Sequence, residues 1–360
     1  MSTRAVIITI GPWHEKPWWW EHIRDRITGC NVGYVRIGTI GNRKEGQLSL
    51  IHLPLLFIKI IQALRKHKPG YVFTFECGVS SFLVAAMQTF GFMRSARHII
   101  LQFIMREQEK SLRSRLKYLF MRFIFSSIDT AVCSSTGEVS YYQEAFKWKE
   151  GRTRFVPFHS DPQFLQVPYD GGEGYILTAG RTFRDYETFL NAVREIGHRV
   201  IMVASPRNID KKTIPENVSL KYDITMAELT DLMRKSDVVV VPLEDRKISI
   251  GQSIFLQAMA MGKAVVVTKT AGTVDYIDHQ ENGMLVPPRD SQQMREAIQY
   301  LMENEGERIR IGKNARIRVA ESYLPCHYYE RVRQLVLEKE ALRKKSRGQR
   351  RPSAEGNCMR

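Results

Sequence analysis

The alternation of apolar and polar positions divides this chain into short buried runs and longer amphipathic ones. Asp237 to Leu243 and Lys263 to Lys269 are β-branched runs short enough for strands covered on both faces. Between them Ile254, Leu256, Gln257 and Met261 recur at helical spacing from Gly251, and Gly262 stands where a C-terminal cap belongs. The pattern predicts a strand, loop, helix, strand unit of the parallel type. Its loop, Glu244 to Ile250, enters the helix at Gly251, where unpaired N–H groups and the helix dipole favour an anion such as phosphate.

The rest of the chain follows the same rhythm. Strands are predicted at Ala5 to Ile10, Val32 to Ile37, Tyr71 to Phe75, His98 to Ile104 and Thr130 to Ser134. Helices are predicted near Trp18 to Ile27, Leu48 to Lys66 and Val79 to Phe90, with a basic helix ahead of Thr130. Arg152 to Phe158 closes this half, and the turn-rich stretch Pro168 to Gly172 reads as a linker. A second half opens with a strand at Tyr175 and repeats the alternation through helix Tyr186 to Ile196, strands Arg199 to Ala204 and Val218 to Tyr222, and helix Ala227 to Lys235. Asp290 is placed to cap a helix over Ser291 to Tyr300. Such alternation means parallel sheets with helices on both faces. The fold class is α/β, with two doubly wound Rossmann-like domains, residues 1–166 and 173–322, facing across a cleft. A helix over 323–342 and a basic, disordered tail over 343–360 complete the expectation.

At 360 residues the chain exceeds one ordinary core, which agrees with two domains. Five scattered cysteines, none in a CxxC pair, point to reduced thiols without a disulfide framework or zinc site. No clean apolar span of bilayer length occurs, and the N-terminus does not read as a signal peptide, so a cytoplasmic location is expected. A net charge of +16 raises the local concentration of anything anionic. Nucleic acid is disfavoured, because the basic residues gather in the tail and one helix and no recognition motif is present. In that helix Lys110, Arg113, Arg115, Lys117 and Arg122 interleave with Leu112, Leu116, Leu119, Phe120, Phe123 and Phe125. Two readings stay open: an interfacial helix on anionic lipid at the inner face of a membrane, or an ordinary helix with its apolar stripe packed on the sheet. Trp13, Trp18, Trp19 and Trp20 could likewise stack on a sugar, lie at a bilayer surface, or sit in the core.

The matches that carry a resemblance are Pro242, Gly251, Ala258, Met259, Ala260, Gly262 and Lys263, followed by Gly272, Asp275, Asn282, Gly283, Val286, Pro287, Pro288 and Asp290. With them the second half resembles the C-terminal domain of the retaining family 4 glycosyltransferases of the GT-B fold, of the bacterial cell-surface polysaccharide type. The resemblance implies a hexosyl transfer from a nucleotide-diphosphate sugar, as co-substrate rather than cofactor, to a lipid-linked or glycan acceptor. Retention and no metal requirement are implied too, as is a last helix that packs back on the first domain. It places Arg181 and Arg184 on the diphosphate, the Gly251 helix start with Gln252 and Gly272 at the phosphate, and Gln257 on the ribose. The two family glutamates are replaced here by Ser249, which stands nearest the sugar, and Gln257. Glu244 and Asp245 could supply the missing carboxylate if their loop folds back. Glu107 and His14 are the candidate acceptor-side groups, since either can take a proton from a hydroxyl. A GT-B subunit with weakened catalysis, binding a nucleotide sugar or a partner enzyme, is the competing expectation.

Overall fold

The structure, a computed structural model, describes residues 5–10, 32–37, 53–92, 95–168, 171–206, 209 and 214–348. His14, the tryptophan cluster and the expected helix Trp18 to Ile27 lie outside the described residues.

The first sheet contains β1 (Ala5–Ile10), β2 (Val32–Ile37), β3 (Tyr71–Phe75), β4 (Arg97–Leu101), β5 (Thr130–Cys133) and β6 (Thr153–Phe155) in the order β2-β1-β3-β4-β5-β6. Among them run α1 (Leu53–His67), α2 (Val79–Thr89), α3 (Leu112–Ile124) and α4 (Thr136–Phe146). The second sheet contains β7 (Tyr175–Ala179), β8 (Arg199–Val203), β9 (Val218–Lys221), β10 (Val238–Val241), β11 (Ala264–Thr268) and β12 (Met284–Val286) in the order β12-β11-β10-β7-β8-β9. Its helices are α5 (Tyr186–Val193), α6 (Met226–Lys235), α7 (Gln252–Ala260), α8 (Ser291–Glu303) and α9 (Glu305–Ser322). Every strand pairing is parallel.

The β-branched runs behave as their pattern requires. Val239 and Val241 join one core with Leu177, Val265 and Val267, while Val238 and Val240 join another with Ile176 and Val266. Successive side chains alternate between faces, and here both faces are roofed by helices. Asp290 caps α8 by accepting the Gln293 N–H at 2.9 Å.

Two elements differ from the sequence reading. Helix α4 was not anticipated, although Ser135 accepts the Glu138 N–H at 3.1 Å in a Ser-x-x-Glu arrangement and Tyr142 and Phe146 are buried beneath it. The last helix, α10 (Pro325–Gly348), continues past residue 342 into the stretch expected to be disordered. Lysine and arginine are good helix formers, and an Arg343–Glu340 pair lies on the extension. The buried face of α10, Tyr328, Tyr329, Val332, Leu335 and Val336, packs against Tyr71, Phe73, Ile99 and Val132 of the first domain. Lys339 pairs with Asp129 at 2.8 Å, and the Tyr71 hydroxyl donates to Glu340 at 2.6 Å. The helix thereby ties the chain's end to the first sheet.

Candidate active site

The carboxyl edge of the second sheet is assembled from two neighbouring strands, β7 and β10. Arg184, in the loop after β7, forms an isolated antiparallel bridge with Leu243, just beyond β10. Gly251 starts α7 at φ 87°, and a Cβ there would stand 2.9 Å from a Leu243 methyl. Only glycine brings the helix start this close to the strand end. Arg181 is exposed in the same β7 loop. Arg184 turns inward: its Nε donates to Ala179 O at 3.3 Å and its Nη1 to Thr182 O at 2.9 Å. Burial holds its guanidinium below the usual arginine range. Gln252 departs from the donor-contact expectation, since it is buried and its Nε2 donates to Gly272 O at 2.9 Å. That bond seats the Gly272 loop on the start of α7. Gln257 is half-buried on α7.

The loop after β4 approaches this edge from the first domain. Glu107, expected to be an acceptor-side base, is engaged across the cleft: it accepts the Lys247 N–H and lies 3.4 Å from Arg246. Arg246 also pairs with Glu244 and sits 4.8 Å over the Phe183 ring, which Arg106 approaches from the first domain at 5.8 Å. Tyrosines hold the loop in place. Tyr142 bonds Met105 through both N–H and carbonyl, the Tyr118 hydroxyl donates to Arg106 O at 2.7 Å, and Tyr141 accepts the Gln108 N–H at 2.7 Å.

Deeper in the cleft lies a carboxylate that the sequence reading did not single out. Glu138, at the start of α4, accepts the Ser134 N–H at 2.8 Å and, across the domain boundary, the Ser249 N–H at 2.7 Å. The residue is 1% exposed, and burial pushes its carboxyl above the usual range against those two donors. Ser249 is itself buried, with a hydroxyl that makes no hydrogen bond among the described residues. A carboxylate from the other domain thus stands at the backbone of position 249, which carries none of its own. Around it the seam is tight. Thr136 donates its N–H to Asp275 at 2.7 Å, Tyr276 accepts the Phe158 N–H at 2.7 Å and donates to Ser134 O, and Gly137 approaches Ala271 so closely that a Cβ would lie 2.5 Å from the alanine methyl.

Residues 173–304 match the family model described as Glycosyl transferases group 1. This segment is similar to the group 1 glycosyltransferases. The O-antigen chain mannosyltransferase C of Escherichia coli is 23% identical over 237 residues, 61% of this chain and 63% of that protein. An N,N'-diacetylbacillosaminyl-diphospho-undecaprenol alpha-1,3-N-acetylgalactosaminyltransferase of Campylobacter jejuni is 28% identical over 89 residues, 25% of this chain and 23% of that one. The matched part is thus less than two thirds of either relative. Among solved structures, HepE of Anabaena in complex with UDP and glucose superposes with a TM-score of 0.67 at 13% identity, covering 93% of this chain and 100% of that one. The two parallel-sheet domains have the GT-B fold.

Within the second domain a cavity of about 540 Å³ opens beside α5, lined by Asp185, Glu187, Glu244 and Asp245 together with Arg246 and Arg289. Glu244 and Asp245 line this cavity and Ser249 does not, so the fold-back that would let either supply the missing carboxylate is not seen. Carboxylates outnumber guanidinium groups there, which disfavours a diphosphate. Among the described residues no three His, Cys, Asp or Glu side chains cluster as metal ligands would.

In the first domain, the sheet reverses its strand order between β1 and β3, where open α/β sheets bind ligands. Glu76 ends β3 at φ 54° and Gln102 ends the neighbouring β4 at φ 52°. Left-handed backbone at two adjacent non-glycine positions is strained, and such strain gathers at functional sites. A buried chain supports it: His98 Nε2 lies 2.8 Å from Thr74 Oγ1, which lies 2.7 Å from Ser81 Oγ, which bonds the Glu76 carbonyl. Glu76 remains exposed, yet partial burial raises its carboxyl above the usual range. Its signal in the sequence is only a charged residue closing an apolar strand.

Proposed function

We propose that this chain transfers a sugar, with retention, from a nucleotide-diphosphate sugar to a glycan or lipid-linked acceptor at the inner face of a membrane. The observation that carries the reading is that the β7 loop and the Gly251 helix start share one edge of the second domain, and that this edge meets the first domain through Glu107 and Glu138. Donor and acceptor groups must share one water-poor cleft for transfer rather than hydrolysis. Arg181 and the first N–H groups of α7 neutralise the departing diphosphate. The acceptor oxygen forms its bond to the anomeric carbon as the bond to the diphosphate breaks, and Glu76, at the switch point of the first sheet, takes the hydroxyl proton. Retention follows from the resemblance to family 4, and a glycan or lipid-linked acceptor agrees with the names of the two curated relatives.

A thermal-shift screen against UDP-, GDP- and dTDP-sugars tests the donor assignment. A ligand at 100 times its dissociation constant stabilises by about 2.7 kcal/mol, and no response to any nucleotide sugar would sink the reading. The anomeric proton coupling of the product then reports retention. A second reading, a subunit with weakened catalysis, is favoured by Ser249 and Gln257 in place of the family glutamates and by the full engagement of Glu138. Donor binding without turnover, restored by a partner enzyme, would distinguish it.

A further inference from the structure

Helix α3 is amphipathic with its apolar stripe turned outward. At about 100° per residue, Leu112, Leu116, Leu119, Phe120 and Phe123 fall within one arc of roughly 100°. Each is between 53% and 72% exposed, whereas Tyr118 and Ile124 are the buried members of the helix. The stripe is continued by Phe90 and Phe92 beyond the end of α2, both more than half exposed. Phe90 meets Phe123 edge-on at 6.1 Å, and Thr89 Oγ1 donates to Ile124 O at 2.8 Å, so the two elements form one surface. Of the two readings of this helix, the packed one holds only for Phe125, which is wholly buried beside Ile100 and Ala131, while the other five apolar positions face outward. Isolated exposed leucines need no explanation, but a contiguous aromatic and aliphatic patch of this kind marks an interaction surface.

The charge around the patch identifies what covers it. Arg113 and Lys117 border the stripe on one side, and Arg115 and Arg122 on the other. From Lys110 to Ile128 the chain has no acidic residue, and among the described residues none of these four has a carboxylate partner. An apolar ridge between two cationic rows matches the headgroup and acyl boundary of an anionic bilayer, where leucine and phenylalanine enter the acyl region while arginine and lysine reach the phosphates. A protein partner would need an acidic row on each side of an apolar groove, whereas an anionic bilayer supplies charge and apolar depth together.

We infer that α3, with Phe90 and Phe92, is the surface by which this protein seats itself on an anionic lipid bilayer. The inference rests on the proposed acceptor at a membrane and adds how the cleft is presented to it. On the inner side of α3, the Tyr118 hydroxyl bonds Arg106 O and lies 2.9 Å from the Tyr141 hydroxyl, and the loop so held carries Glu107 to the cleft. Docking α3 therefore fixes the acceptor-side loop relative to the bilayer.

Co-sedimentation of the full chain with vesicles of phosphatidylcholine alone, and with added phosphatidylglycerol, tests this without any turnover. Binding to the anionic vesicles should exceed binding to the neutral ones, and it should weaken as salt rises toward a Debye length of about 3 Å at 1 M. Removing a basic residue in Arg113→Ala or Lys117→Ala should lower the partition constant about fivefold each. Leu116→Asp with Phe120→Asp, both exposed, should abolish binding with an unchanged melting temperature. Equal binding to both vesicle types, or binding that survives the aspartate pair, would overturn the inference. So would a wild-type dimer in light scattering that the same pair splits, with no vesicle binding, because the patch would then cover a second copy. A chain that docks but binds no nucleotide sugar would remove the transferase reading alone.

Discussion

Glu138 of the first domain accepts the backbone N–H of Ser249 in the second at 2.7 Å, so a carboxylate from one domain stands beside the position where the resembled family carries its own glutamate in the other. The contact joins the two sheets at the floor of the cleft. It also makes the two positions interdependent.

Glu138→Gln presents an amide N–H₂ to one of the two backbone donors. A buried donor left unpaired costs about 1–3 kcal/mol, so the melting temperature should fall and small-angle scattering should report a more open pair of domains. Ser249→Glu alone should destabilise by roughly 3 kcal/mol, because it buries a second carboxylate beside the first. Combining it with Glu138→Ala should recover part of the loss. Additive losses in the double variant would mean that the two positions are not coupled.

The two arginines of the β7 loop should separate in their effects. Arg181→Ala should weaken donor binding at least about tenfold with little change in stability, as a lost charge-assisted bond does. Arg184→Ala strips Ala179 and Thr182 of their donor and should lower the melting temperature. Calorimetric titration with the best nucleotide sugar, alongside thermal melts, checks both. A stability loss for Arg181→Ala with unchanged donor affinity would reverse the assignment.

Glu76 is expected to act as a base from a carboxyl held above its ordinary range by partial burial. Transfer should rise with pH through that raised value, as the carboxylate form increases. Glu76→Gln should reduce the rate by about 10²-fold or more while leaving donor affinity unchanged. Full activity in that variant would move the proton acceptor elsewhere.

His98 is wholly buried, and burial lowers its imidazole from 6.5 to about 3. The unfolded chain therefore binds more protons in that window, and the folded state loses stability as pH falls from 6.5 toward 3, by at most about 1.4 kcal/mol per unit. Glu138 works in the opposite sense. Its raised folded value favours folding at low pH, and that contribution is lost as pH rises from the unfolded value of 4.5 through the folded one. Denaturant melts across pH 4 to 8 should show a shallower acid loss in His98→Asn, provided the variant keeps its bond to Thr74. An unchanged acid limb would assign the loss to other groups.

The sequence by itself determined the two parallel sheets, since Val238 to Val241 and Ala264 to Thr268 are too short and too uniformly β-branched for anything but strands covered on both faces. It determined the caps as well, because a side chain such as Asp290 bonds its own neighbouring backbone. The site was legible only where chemistry is local: the Gly251 turn could be read, whereas the partner of Ser249 lies 111 positions away on a helix that was not foreseen. Glu107 and Arg184 were singled out by position, but their roles follow from what they touch, and those contacts come from other loops. The amphipathic pattern of α3 was equally plain, yet periodicity fixes only that one face is apolar. Which way that face points depends on how the helix is held, and Tyr118, bonded inward to the cleft loop, turns the leucines and phenylalanines out.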